Sequence, residues 1–418
     1  MSEFGSSAVF PKMYKIKQML SDERVEDIPK EVFEQLDAIG LNETIKGGQQ
    51  IGVCSGSRGV NNIDKIVKAV CDYVRQCGGQ PFILPAMGSH GGATAEGQKL
   101  VSEKFGISEE KMGCEIRSSM ETVQFEDTEL GTPVYFDKIG YESDGVIVIN
   151  RVKPHTDFIS ENESGIVKML SVGLGKQKGA SAMHDNGLGR TIPLTAQIIL
   201  KNAPIIAGLG IVENSKDETY ILKSVKPENF LEEDAKLLKI SYEQVPKLPC
   251  EDVDILIVEE MGKQYSGTGM DTKTIGRMKI LSEKEPASPR VKKLVVLRLS
   301  KDSYGNALGV GLADLTVKKL VDAIDYEAMY SNLITTTFLD RGKVPVHMAT
   351  EKETVGVAFR TSGGISLEEA RVMIIKNTLH LGEVVVSEQI YKEIKNKVEL
   401  IEEDIKISFD DEGKMIVG

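Results

Sequence analysis

Apolar and polar positions alternate along the chain with two periods, and each change of period marks an element. Apolar residues at Val25, Ile28, Val32, Phe33, Leu36 and Ile39 carry the 3.6-residue spacing of a helix over residues 25–41. Residues 50–54 (QIGVC) read as a strand that runs into the turn Ser55-Gly56-Ser57-Arg58-Gly59. Residues 62–77 follow as an amphipathic helix with Ile63, Ile66, Val67, Val70 and Val74 on one side. This strand, glycine turn and helix then repeat: a strand over 81–87, the turn GSHGG at 88–92, and a helix over 94–105 with Thr94 as its N-cap. Further strands are predicted at 132–136 and 145–149 (GVIVI), then a β pair at 204–212 and 218–225, then a helix over 228–242.

The run Val245-Pro246-Lys247-Leu248-Pro249 breaks the series, because two prolines so close resist both helix and central strand. The alternation resumes with a strand at 254–258 (DILIV), a glycine-rich loop (EMGKQYSGTGMD) and a strand at 292–299. Helices are predicted over 312–330 and 366–377, strands at 354–359 and 383–387, and a closing hairpin over 404–417. Such a pattern implies an α/β protein of two α/β domains, residues 1–247 and 248–418, with an active-site cleft between them. The tail, residues 400–418, is expected to pack back on the N-terminal domain.

Length supports two cores, since 418 residues exceed what one usually organises. A net charge of −12 argues against a nucleic-acid platform, which needs clustered basic charge. No apolar run approaches the length of a membrane span, and the first residues lack the basic-then-apolar order of a signal peptide, so a cytoplasmic protein is expected. The five cysteines (Cys54, Cys71, Cys77, Cys114 and Cys250) are odd in number and show no CxxC spacing, which favours thiols over disulfides or a zinc knuckle.

The richest stretch chemically is 150–184, directly after the GVIVI strand. It holds His155, Lys168, Lys176, Lys178 and His184, with Gly173-Leu174-Gly175 offering a backbone that a ligand could approach closely. His90 stands among glycines after another strand, a setting that favours chemistry over core packing. Pro154 before His155 holds Lys153 extended and aims that loop. Arg58, at the tip of the first turn, can meet a carboxylate with two parallel hydrogen bonds. Ser266-Gly267-Thr268-Gly269 followed by Lys273 has the composition of an anion cradle. His347 and His380 sit between apolar neighbours and read as structural. Neither GxxxxGK[ST] nor GxGxxG follows a strand, which weighs against nucleoside triphosphate and NAD chemistry.

Together these pieces resemble the nickel-pincer lactate racemase family. The most specific element is Lys168, followed five residues later by Gly173 and sixteen later by His184. The resemblance implies a nickel-pincer nucleotide, a pyridinium-derived mononucleotide joined to Lys168 through a thioamide, with Gly173 nearby and His184 as nickel ligand. It implies His90 (GSHGG) and His155 (KPHTDF) as proton acceptor and donor, and Arg58 as the group that orients a substrate carboxylate; Lys273 is carried over as a further substrate contact. A small 2-hydroxy acid and cofactor-synthesis proteins are the implied partners. The chain departs from the pattern at Ser55, where aspartate is frequent, and around KPHTDFISENESGIVK, so the implied substrate is a 2-hydroxy acid that extends beyond lactate to larger or sugar acids. Two other classes fit the residues: a non-catalytic binder of the pincer nucleotide, and a lyase or aldolase forming a Schiff base through Lys168 or Lys176.

Overall fold

The computed structural model describes residues 9–281 and 283–418, without the side chains of residues 184, 185 and 335. It has two compact units. One is continuous, Ser21–Val245; the other joins the segment ending at Leu20 to Pro246–Gly418. Among the described residues no helix is long and apolar enough to cross a membrane.

The Ser21–Val245 unit is built on a five-stranded sheet in the order Gln80–Pro85, Gln50–Ser55, Gly145–Arg151, Ile205–Glu213, Thr219–Val225. The first four strands are parallel and the last is antiparallel. Successive side chains of a strand leave on opposite faces, so Ile147 and Ile149 enter one apolar cluster while Val146 and Val148 enter another. Ile63–Gln76 covers the first face with Ile66, Val67, Val70 and Val74, and Ile166, Leu170, Ile192 and Phe230 cover the second. With both faces covered, the strands read as nearly continuous apolar runs.

Topology then decides where a ligand can go. From Gln50–Ser55 the chain moves outward to Gln80–Pro85, then crosses back to lay Gly145–Arg151 on the other side of Gln50–Ser55. The connections leave these two strands in opposite directions, which opens a crevice beyond their carboxyl ends. The loops after Ser55, Pro85 and Arg151 start there, and they carry Arg58, His90 and His155.

The other unit holds an eight-stranded mixed sheet: Val346–Met348, Leu315–Val317, Arg290–Leu299, Asp252–Met261, Val372–Ile375, Glu383–Ser387, Met13–Gln18, Val398–Ile405. Several expectations are corrected by it. Met13–Gln18 pairs antiparallel with strands from the far end of the chain, so the opening residues do not belong to the first domain. The closing hairpin, Ile407–Phe409 with Met415–Val417, stays in this unit: the Met415 N–H donates to Glu351 Oε2 at 2.7 Å, and Met415 packs with Val355 and Ala358. Residues 354–359 are part of the helix Glu351–Arg360, started by a reciprocal capping box between Thr350 and Glu353 that outweighs the β-branched look of the run. The predicted helix over 366–377 is instead a central strand, Val372–Ile375, paired on both sides. The predicted helix over 312–330 is split into the strand Leu315–Val317 and the helices Lys318–Asp322 and Tyr326–Thr336, the last capped by Asp325. In the first unit the strand expected at 132–136 is a short hairpin, Thr122–Gln124 with Tyr135–Asp137, outside the main sheet.

Candidate active site

Three loops meet over the crevice, and each is held by an internal bond. In the first, Ser55 is buried with its Oγ 2.9 Å from Ser102 Oγ, which leaves Ser57 and the exposed Arg58 at the tip. Glu213, at the end of its strand, braces this turn by pairing with Arg151 and accepting the Asn61 N–H at 2.6 Å. In the second loop the His90 N–H donates to the Met87 carbonyl at 3.0 Å, and its Nδ1 lies 2.5 Å from Ser57 Oγ. The His90 ring is exposed at the loop, yet loss of solvation by the surrounding protein, the Arg58 guanidinium and the Lys168 ammonium hold its pKa below the ordinary imidazole value. His90 is therefore a neutral base at pH 7.

The third loop is ordered by Glu163, which is fully buried. Its carboxylate accepts the His155 N–H at 2.6 Å, the Ser160 N–H at 3.2 Å and the Tyr242 hydroxyl at 2.8 Å. The His155 ring stacks on Phe158 with centroids 4.4 Å apart, and its Nδ1 accepts the Asp157 N–H at 3.1 Å. An amide can only donate, so the neutral His155 ring carries its proton on Nε2.

Lys168 ends a helical turn, Ile166–Lys168, that continues directly into a π-helical turn, Met169–Gly173. The turn is anchored from below by Asp234, whose Oδ1 accepts the Ile166 N–H at 2.7 Å and whose Oδ2 accepts the Asn162 side chain at 3.1 Å. Gly165 is required there, since a Cβ would come within 2.0 Å of Asp234 Oδ1. Burial, against the pull of Asp157 and with the Arg58 and Lys153 charges adding to it, brings Lys168 down to about 8. Among the described residues no hydrogen bond or ion pair reaches its ammonium. Lys176 is the opposite case: it is fully buried, 2.9 Å from Asp137 Oδ2 and bonded to the Pro85 carbonyl and Gln98 Oε1. Lys178 is exposed, with Nζ 5.8 Å from the centre of the Tyr135 ring.

Arg58, His90 and Lys168 thus act on one another electrostatically, and Asp157 and Glu163 tie the His155 loop to the same lysine. Gly173 is buried, and a Cβ would meet Met169 Sδ at 2.5 Å and the Ala86 carbonyl at 2.8 Å, so packing alone requires glycine there. His184 falls in the helix Lys176–Asn186, and its side chain lies outside the described residues. Lys273 belongs to the other unit, on the short helix Thr272–Ile275 capped by Asp271. His380 Nδ1 lies 3.0 Å from Asn377 Oδ1, and His347 is exposed on a short strand instead of buried among its apolar neighbours. Ser57, Gln98, Glu163 and Asp234 were not legible in advance. Only Glu163 and Asp234 leave a trace, as acids near apolar helix faces.

The described residues hold no group of three His, Cys, Asp or Glu side chains able to bind a metal. Lys168, a partly buried amine near neutrality with no competing bond among the described residues, fits covalent attachment of a cofactor.

Residues 8–188 match the family model of the lactate racemase N-terminal domain. No curated protein sequence matches the chain. Among solved structures, the lactate racemase apoprotein from Thermoanaerobacterium thermosaccharolyticum is similar in fold, with a TM-score of 0.54 at 14% identity over 88% of this chain and 98% of that one.

Proposed function

We propose, from the similarity of residues 8–188 to the lactate racemase N-terminal domain family, that the chain is an isomerase that racemises or epimerises a 2-hydroxy acid. The substrate is lactate-like or a larger, more polar acid such as a sugar acid inverted at C2. The observation that carries this reading is the meeting of Arg58, His90 and Lys168 over the switch-point crevice, with the His155 loop tied to the same lysine. Lys168 would hold a nickel-pincer nucleotide covalently, with His184 as the protein's nickel ligand, loaded by cofactor-synthesis proteins. When bound, that group supplies reversible hydride acceptance at the substrate's α-carbon.

The chain's own residues do the rest. Arg58, exposed at the tip of its turn, binds and orients the carboxylate through a bidentate pair. His90, kept neutral by reduced solvation and by the Arg58 and Lys168 charges, accepts the hydroxyl proton as the carbonyl forms. Ser57 can accept from Nδ1–H, which exposes the Nε2 lone pair of His90. His155 holds a proton on Nε2 and presents it to the substrate oxygen. Inversion needs a proton-handling group for each enantiomer, and the two histidines come from separate loops after separate strands, as that requires.

Intact mass and metal analysis of protein co-expressed with cofactor-synthesis enzymes tests the reading. Nickel and an adduct on the Lys168 peptide are expected, and His90→Ala should keep both while losing about a hundred- to ten-thousand-fold in activity on the true substrate. One observation favours a second reading: an amine near pKa 8 also suits Schiff-base chemistry. Borohydride trapping of a keto acid on Lys168 in nickel-free protein would replace the racemase by a lyase or aldolase. Lys176 is unsuited to that role, because its ammonium is locked in a buried ion pair.

A further inference from the structure

We propose that Gln98 and Lys176 are positioning residues that fix His90 against the turn following Lys168, so that the proton-accepting loop and the lysine segment move as one body. The proposal rests on the racemase reading for its catalytic meaning, but its geometry stands without it.

Lys176 sits in an unusual place for a charge. It is fully buried and its backbone has φ 54°, in the left-handed region that non-glycine residues rarely adopt. The position is held by three oxygens around Nζ: the Pro85 carbonyl at the end of its strand, Gln98 Oε1 at 3.1 Å and Asp137 Oδ2 at 2.9 Å. Asp137 neutralises the charge while its other oxygen accepts the Gly140 N–H at 2.9 Å. An ammonium only donates, so Gln98 must turn its carbonyl to Lys176 and its Nε2 the other way. That Nε2 donates to the Gly88 carbonyl at 2.9 Å and the His90 carbonyl at 3.3 Å. From the opposite side the Gly88 N–H donates to the Gly173 carbonyl at 3.0 Å. The His90 loop is therefore bonded to the Met169–Gly173 turn directly and to Lys176, three residues beyond that turn, through one buried amide.

A buried ammonium has three protons to place, so what matters is where its partners lie. Here its further bonds run to the strand end that launches the His90 loop and to the amide that grips the loop's backbone. Removal of the Gln98 amide should free the loop while leaving the Lys176–Asp137 pair in place.

The test uses the full-length protein with ¹³C-labelled histidine, and each ring is titrated by NMR. With five histidines, His90 and His155 are assigned by the signals lost in His90→Gln and His155→Gln. His90 faces Ser57 and Arg58 from the first turn, the Met87 carbonyl in its own loop and Lys168 from the helix. In Gln98→Met, His90 should titrate higher, toward the ordinary imidazole value, as the ring moves away from the two cations. His155, whose backbone is held by Glu163 and whose ring stacks on Phe158, should keep its curve. Gln98→Ala, which leaves room for water beside Lys176, serves if the thioether is not accommodated. An unchanged His90 curve in either folded variant overturns the proposal, as does an equal shift of His155. The titration needs no cofactor, so an absence of nickel or of the Lys168 adduct would sink the functional reading and leave this result standing.

Discussion

At the scale of single residues the site turns on two lysines that the sequence presents alike. Lys168 is partly buried with a pKa of about 8, whereas an unfolded lysine titrates near 10.5. Between those values the native protein binds fewer protons than the unfolded chain, so stability rises with pH across that window, and below about 8 the cost of burying the charge is fully present. Lys168→Met should therefore be at least as stable as the parent at pH 7, with the difference closing as pH rises toward 10.5. Urea midpoints of both proteins measured across that range check this; a gap independent of pH would refute it. Lys176 should behave in the reverse sense. Lys176→Ala strands Asp137 as an unpaired buried charge, a change that typically costs about 3–5 kcal/mol, and a large loss of midpoint is expected at pH 7.

At the scale of elements, periodicity showed where helices and strands of the first unit lie because their faces are cleanly divided. Gly145–Arg151 and Ile63–Gln76 are examples, each within two residues of its predicted end. It failed where a short local signal competed with composition. The Thr350–Glu353 capping box turned an apparent strand into a helix, and Val372–Ile375 became a strand because two neighbours pair with it. The loop histidines, Arg58 and Lys168 were visible as exposed chemistry after strands. Their supports were not, because Glu163 and Asp234 act across separations of 79 and 68 residues, to Tyr242 and Ile166. Asp234 offers a test at this scale. Burial, partly offset by its hydrogen bonds from Asn162, Ile166 and Val167, raises its pKa from 3.8 to about 6. The native state then holds more protons than the unfolded one between pH 4 and 6, so its contribution to stability is lost as pH rises through that interval. Asp234→Asn should remove this slope. Denaturation of both proteins at several pH values in that range reads it, and equal slopes would refute the assignment.

At the scale of the whole molecule, the chain's order along the sequence differs from its order in space. Unit Ser21–Val245 is continuous and contains Arg58, His90, His155 and Lys168. The second unit is completed by the first strand, Met13–Gln18, inserted between Glu383–Ser387 and Val398–Ile405. Met13, Tyr14 and Ile16 are buried in that sheet. Burial of a large apolar side chain is worth roughly 1.5–3 kcal/mol, so the three contribute about 5–9 kcal/mol before any ladder hydrogen bond is counted. A domain's entire stability is only about 5–15 kcal/mol. Deletion of residues 1–20 should therefore unfold the Pro246–Gly418 part and expose the strand edges of Glu383–Ser387 and Val398–Ile405, while Ser21–Val245 stays folded. Hydrogen exchange read by mass spectrometry distinguishes the two parts peptide by peptide. Protection lost in 372–405 but kept in 50–85 and 145–213 is the expected pattern. Protection kept in both would mean that the first strand is dispensable, and protection lost in both would mean that Ser21–Val245 does not fold independently.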